Sequence, residues 1–351
     1  MPRFAGKTGN SMKRYKVYGV GAALVDTEIR VDDAELATLG VEKGLMTLVD
    51  RPRRAALLDA LEGHMVRAGH ASGGSAGNSL IATAQFGGRC FMSCRVADDA
   101  DGEIYLADLE RAGVSYPPAV ECSEPTGKCL VLVTPDAERS MNTYLGASEG
   151  LGIAQLNEQA IADSEYLYLE GYLVSSPTGL AAAVRARELA QAAGVPVALS
   201  FSDPGMVEYF PEGFRDMLGG GVDLVFANDA EAQSWTGTGT LKEAADAMKA
   251  TARRFVITCG AAGALCFDGE TLHEIPVHAV EAVDSNGAGD MFAGAFLYAL
   301  TRGEDFPTAG RFASFAAGTV VSQWGPRLPA ADYAQLRDSF FASADNKLAA
   351  T

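Results

Sequence analysis

Long apolar runs, paired cysteines, clustered histidines and an excess of basic residues are all missing from this sequence. No apolar stretch approaches the roughly 18 residues of a membrane-crossing helix, and no secretory signal opens the chain, so a cytoplasmic protein with no membrane partner is expected. The six cysteines, Cys90, Cys94, Cys122, Cys129, Cys259 and Cys266, form no CxxC pair. The four histidines, His64, His70, His273 and His278, share no metal-ligand spacing with them. Zinc sites and disulfides are thereby disfavoured, and the thiols read as small apolar fillers in a reducing compartment. Lys and Arg number 28 against 45 Asp and Glu, a net charge of −17. Such a surface repels nucleic acid and anionic lipid, so neither is an expected partner. A phosphate-bearing ligand must then find positive potential locally, in backbone N–H groups, a metal ion or a few arginines.

What is present is ordinary for a soluble enzyme of one large or two smaller α/β domains: 351 residues, 48% hydrophobic and 21% charged. The chain is organised around AVDSNGAGDMFAGAFLYAL, residues 282–300. Here Gly287-Ala288-Gly289 lead into Asp290 and then into an apolar run of helical length. Glycines let successive N–H groups converge into an anion-binding nest, and the helix that follows aims its positive dipole end at the same point. A carboxylate at the mouth of that nest competes with the anion, yet is well placed to take a proton from a hydroxyl attacking phosphorus. The segment thus reads as the centre of a small-molecule kinase with Asp290 as base. The plainer alternative is a Gly-rich turn with Asp in the first turn of an ordinary helix.

Residues 1–11 read as a loose arm, and the remainder, 12–342, as one domain with no repeat, low-complexity segment or splitting linker. YKVYGVGAALV (15–25) reads as a buried strand; its GVGAAL piece mimics a dinucleotide fingerprint but lacks the third glycine and a helical pattern after it. Asp26 follows directly, where parallel sheets gather ligands, and reads either as a binder of substrate hydroxyls or as a strand-end turn residue. In ASGGSAGNSLIATAQFGG (71–88), Gly73-Gly74 allow close backbone approach and Asn78 offers a donor and an acceptor to neighbouring hydroxyls. The alternative is a glycine turn capped by Asn78, with a helix from Ser79. Residues 126–146 read as a hairpin of an added sheet, with Arg139 after its turn either solvated or reaching a phosphate.

From 160 onward strands alternate with helical segments, the signature of βαβ crossovers and a parallel sheet. Polar residues recur at its strand ends. Asn228 and Glu231 (ANDAE) read as a magnesium-water holder or as an Asx-type helix start. Thr258, Gly260 and Gly263 (VITCGAAGAL) read as a nucleotide-contact turn or as a simple tight turn.

In this order, GGSAGNSLIATAQFGG, ANDAE, VITCGAAGAL and DSNGAGDMFAGAF resemble the signatures of the ribokinase (PfkB) family of carbohydrate and nucleoside kinases, over about residues 15–335. Ser285 stands where the family pattern has Thr, keeping the hydroxyl. The resemblance implies an α/β fold: a three-layer α/β/α sandwich with a mostly parallel central sheet and a small β-lid, here near 27–50 and 117–146. It also implies ATP and Mg2+ as cofactors, Asp290 as base, and Gly287, Ala288 and Gly289 as the anion hole. Asp26, Gly74 and Asn78 would hold the acceptor, Asn228, Thr258, Gly260 and Gly263 the nucleotide, and Glu231 would hold Mg2+ through water. Asp284 would help ligate a monovalent cation such as K+. Family members often pair through the lid, so a homodimer formed by an exposed lid sheet is a further expectation.

The texture of VEKGLMTLVD, RSMNTYLGA and LEGYLV is similar to bacterial adenosine or nucleoside kinases, which makes a nucleoside the expected acceptor. Tyr144, Tyr172 and Phe201 could line a slot for its base or simply belong to the core. A free-sugar kinase, a nucleoside-binding protein without catalysis, and a dinucleotide-dependent dehydrogenase resting on GVGAAL are the competing readings.

Overall fold

The computed structural model describes residues 13–63, 66–136 and 138–348, so the expected arm at 1–11 lies outside the described residues. The central sheet has nine strands. Its spatial order is Leu272–Ile275, Ala264–Phe267, Phe255–Thr258, Leu224–Asn228, Val197–Ser200, Ser164–Leu169, Tyr15–Val20, Cys90–Ser93 and Val114–Ser115. All neighbours pair in parallel except at the Leu272 edge, where Ala264–Phe267 runs antiparallel to both Phe255–Thr258 and Leu272–Ile275. The parallel strands are nearly continuous apolar runs because helices cover both faces. Over one face lie Ser75–Gln85, Ala288–Arg302 and Phe306–Val321; over the other lie Pro177–Ala192, Pro211–Leu218 and Leu241–Met248. This is the three-layer α/β/α sandwich.

The order in which strands are added reverses at Tyr15–Val20, with Cys90–Ser93 on one side and Ser164–Leu169 on the other. A crevice opens at such a reversal, outside the strand C-termini. Two helices converge on it, and small residues let them touch. A Cβ on Gly294 would sit 2.3 Å from the Ser79 carbonyl oxygen, while Thr83 Oγ1 donates to the Gly294 carbonyl at 2.9 Å. The helix expected from Ser79 begins at Ser75, because Gly74 at φ 83° turns the backbone four residues earlier and serves as its N-cap. Asn78 therefore lies in the first helical turn and does not cap it.

A second sheet of five strands, Met46–Leu48, Arg139–Tyr144, Gly127–Val133, Leu24–Arg30 and Val66–Gly73, stands over the crevice. Its Val66–Gly73 strand falls outside the segments expected to build it. Alternation along Gly127–Val133 gives the sheet two apolar faces. Leu130 and Leu132 join Ile29, Leu36 and Leu57, whereas Cys129, Val131 and Val133 join Ala22 and Leu24 on the crevice side. The helices Asp33–Leu39 and Arg51–Ala60 supply Leu36 and Leu57 and so cover the outer face. The chain's own helices thus occupy the outer face of this sheet, while its other face lines the crevice.

Candidate active site

The helix Ala288–Arg302 begins without a side-chain cap. Its N-cap, Gly287, holds φ 70°, which glycine adopts at little cost, and a Cβ there would lie 2.3 Å from the Pro326 carbonyl oxygen. The first bond of the helix ladder runs from Met291 N to Gly287 O at 2.8 Å. Of the amides ahead of it, that of Ala288 makes a long bond to the Ser285 carbonyl at 3.3 Å, and with no capping side chain this helix start suits an anion.

Asp290 stands in this first turn, and both its oxygens are held from the facing helix. Oδ1 accepts from Ser75 Oγ at 2.6 Å and Oδ2 from Asn78 Nδ2 at 2.9 Å. Desolvation pushes its pKa above the ordinary value, with these two hydrogen bonds opposing. A fixed carboxylate of raised basicity is what general-base chemistry needs. The Oδ1 of Asn78 is buried with no hydrogen-bond partner, and so is Asp26 Oδ1. Two orphan acceptors in one crevice suit a ligand carrying hydroxyl groups. Burial first, and the nearby Glu28 next, push the Asp26 carboxyl up to about 7, against the pull of Arg327 and Arg139. The glycines permit this crowding: a Cβ on Gly73 would meet Asp26 Oδ1 at 2.0 Å, and one on Gly74 would meet the Ala22 carbonyl oxygen at 2.4 Å.

Glu170 follows the Ser164–Leu169 strand and ties the crevice together. Its carboxylate accepts from Ala22 N at 3.1 Å and from Ala76 N at 2.7 Å, and burial pushes it up to about 7. Neither Ser75 nor Glu170 is singled out by the sequence motifs. For Glu170 a signal exists, a carboxylate directly at the end of an apolar strand.

At the other end of the cleft Asn228 caps the Asp229–Thr236 helix in a reciprocal box. Asn228 Oδ1 accepts from Glu231 N at 2.7 Å, and Glu231 accepts from Asn228 N at 2.9 Å and Asn228 Nδ2 at 2.8 Å. The Asx-type helix start is thus real, and both residues also line the cleft. Burial pushes Glu231 up to about 8, with Asp203 and Asp229 adding to the rise. Thr258 lines the same cleft. Gly260 and Gly263 form the turn behind it, at φ 52° and φ 90°, and a Cβ on Gly263 would lie 2.1 Å from the Ile275 carbonyl oxygen. Gly287, Ala288, Gly289 and Asp290 complete a cleft of about 450 Å³, a size usual for small-molecule sites.

Several expectations change. Arg139 is buried at 6% exposure and not solvated. Its guanidinium pairs with Asp284 and Glu28, so Asp284 faces an arginine where a monovalent cation was expected. Of the three aromatic residues considered for a base slot, Tyr172 lines the cleft. Phe201 is core, packed on Phe214 and Trp235, and Tyr144 turns its hydroxyl to Glu124. After Val20 comes a second strand, Leu24–Arg30, where a dinucleotide fingerprint needs a helix. The dehydrogenase reading fails on that point.

Residues 48–332 match the model of the pfkB family of carbohydrate kinases. The chain belongs to this family. It is similar to a probable sugar kinase from Rhizobium etli CFN 42, with 33% identity and a TM-score of 0.88 over 95% of this chain and 99% of that one. The adenosine kinase from Sinorhizobium meliloti also gives 33% identity and a TM-score of 0.88, over 93% and 99% of the two chains. Among curated proteins, the adenosine kinase of Schizophyllum commune is 28% identical over 90% of this chain and 97% of its own length. The protein is a phosphotransferase with an alcohol acceptor, a nucleoside or sugar kinase.

Family membership implies ATP and generally a divalent metal. Among the described residues no cluster of three or more His, Cys, Asp or Glu forms a direct metal cage, and no helix is long and apolar enough to cross a membrane. Glu231, whose two oxygens already take one hydrogen bond each, fits a metal held through water.

The kinase gathers Asp26, Glu170, Glu231 and Asp290 in one cleft, all with raised pKa values. Folding without ligand therefore takes up protons near neutrality, because the unfolded carboxyls are already ionised there. With more protons bound in the native state, stability falls as pH rises. The melting temperature of the ligand-free protein is expected to drop steadily between about pH 5.5 and 8. Calorimetry across that range checks it, and a flat or rising profile would contradict the raised values.

Proposed function

We propose that this protein is an adenosine-type nucleoside kinase that moves the γ-phosphoryl group of Mg-ATP to a primary hydroxyl of the nucleoside. The observation that carries this reading over a free-sugar kinase is the apolar wall in which Asp26 is set. Leu24, Met46, Cys129, Val131, Met141 and Leu145 of the small sheet line the cleft there. A free sugar presents hydroxyls on every side and gains little from that wall. A nucleoside places its ribose hydroxyls on Asp26 and Asn78 and buries an apolar base against the thioethers and aliphatic groups, with Tyr172 nearby.

In this reading Asp290 Oδ2 or Oδ1 takes the proton of the attacking hydroxyl while its oxygen bonds to the γ-phosphorus. The bond to the β,γ-bridging oxygen breaks, and ADP leaves. Charge on the transferring group falls on the amides at 287–289 and on the dipole end of the Ala288–Arg302 helix. Magnesium, held through water near Glu231, would neutralise the polyphosphate. Asn228 and Thr258 would position the nucleotide, with the Gly260–Gly263 turn shaping the floor. The small sheet acts as the lid that excludes water.

A coupled ADP-release assay with Mg-ATP tests the proposal on adenosine, inosine, guanosine, ribose and fructose. Adenosine is expected to turn over, and free sugars to show a kcat/KM lower by about 100-fold or more, because binding of the remote base is lost. Preferred turnover of ribose or fructose would make the protein a sugar kinase. Tight adenosine binding without ADP release would make it a binding protein of this fold.

A further inference from the structure

The carboxylate of Asp284 is fully buried, and its acceptor capacity is filled. Oδ1 accepts from Arg139 Nε at 2.6 Å and from Asn286 N at 2.9 Å. Oδ2 accepts from Gly325 N at 2.8 Å and from Arg139 Nη2. Four donors match the roughly four lone-pair positions of a carboxylate, which leaves nothing for a metal ion. The neighbouring carbonyl of Val321 is also occupied, accepting from Val283 N at 2.9 Å and Asp284 N at 3.1 Å. A monovalent cation at Asp284, implied by the family resemblance, therefore does not fit the residues present.

Arg139 comes from the small sheet, 145 residues away in sequence, and its remaining Nη1 donates to Glu28 of the same sheet at 3.1 Å. A second lid arginine grips the same region independently: Arg30 stacks over Trp324 with its guanidinium 4.3 Å from the ring centroid. From Asp284 the contacts run on to Gly325, and the next residue, Pro326, presses its backbone against Gly287. The lid arginine thus connects, through one buried carboxylate and one loop, to the N-cap of the site helix.

We infer that the Arg139 guanidinium takes the place of a monovalent cation in organising the loop from Asp284 to Gly289, so that this kinase works without potassium. Arg139, which also lines the cleft, is then a positioning residue acting through Asp284. The inference rests on 287–289 being the anion hole of the proposed reaction.

The test exchanges potassium chloride for tetramethylammonium chloride at constant ionic strength and follows turnover, Mg-ATP affinity by calorimetry, and melting temperature. For the wild-type protein all three are expected to stay constant, with rates and affinities within about twofold, since a cation that binds only the native state must raise its stability. Arg139→Met empties two acceptor positions on Asp284; turnover is expected to fall about 10- to 100-fold, a typical cost for lost orientation, and potassium is expected to raise its melting temperature. Arg139→Lys, which keeps the charge, is expected to recover part of the loss. A tenfold stimulation of the wild type by potassium, or a potassium-dependent rise in its melting temperature, would overturn the inference, even where Arg139→Met does not fold. Absence of phosphoryl transfer in every salt would instead count against the proposed reaction, while the melting and ATP-binding measurements still decide the cation question.

Discussion

Asp290→Asn is expected to reduce phosphoryl transfer by about 10²–10⁴-fold, the usual worth of a positioned general base, while Mg-ATP affinity stays near normal. The substitution is nearly isosteric, so Ser75 still finds an oxygen to donate to. Only the contact with Asn78 Nδ2 is disturbed, because two amide groups now meet where a carboxylate met an amide. Stability moves the other way. A desolvated carboxylate of raised pKa is a cost to the ligand-free fold at neutral pH. The asparagine protein is therefore expected to melt at or above the wild-type temperature. A drop in kcat with unchanged or higher melting temperature separates chemistry from folding. Turnover within tenfold of wild type would remove Asp290 from the role of base. The wild-type rate should also fall on the acid side as Asp290 protonates, and this limb should vanish in the variant.

Gly287→Ala carries the second large effect. The residue sits at φ 70°, and a Cβ would lie 2.3 Å from the Pro326 carbonyl oxygen and 2.6 Å from its Cα, both backbone atoms with little room to yield. Strain of that kind costs on the order of 1–3 kcal/mol, and the displaced amides lose their aim at the transferring group, a loss of about 10²–10³ in kcat. Gly289→Ala is the matched control: nothing lies within 4 Å of a Cβ there, so its melting temperature is expected to be unchanged. Wild-type melting and turnover for Gly287→Ala would show that the contact with Pro326 does not shape this loop.

The layered fold was legible because its signal is local. Apolar strands such as Leu224–Asn228 and Phe255–Thr258, separated by helical spacing, can be read within short windows. Polar residues at their ends come together in the cleft because parallel strands all open on the same side. The rest depended on partners far off in the chain. Arg139 after a turn reads as solvated until Asp284 and Glu28 are brought to it by the closing of two sheets. Ser75 is an ordinary helix-start serine until Asp290 faces it. The strand Val66–Gly73 carries few large apolar residues, so only its pairing with Leu24–Arg30 identifies it. A base slot was sought among aromatics, and of these Tyr172 lines the cleft; the wall proposed for the base is otherwise methionine, leucine, valine and cysteine, which look like any core in sequence.

The pairing of Asn78 with Asp290 spans 212 residues, and that of Ser75 with Asp290 spans 215. Nearly the whole chain must leave the ribosome before these groups can meet, and such distant closures fold slowly. A nascent chain holding only the glycine-rich acceptor end has orphan acceptors but lacks Asp290. One lacking that end keeps Asp290 without Ser75 and Asn78, the groups that fix it. On the proposed mechanism, neither fragment is expected to spend ATP during synthesis or turnover.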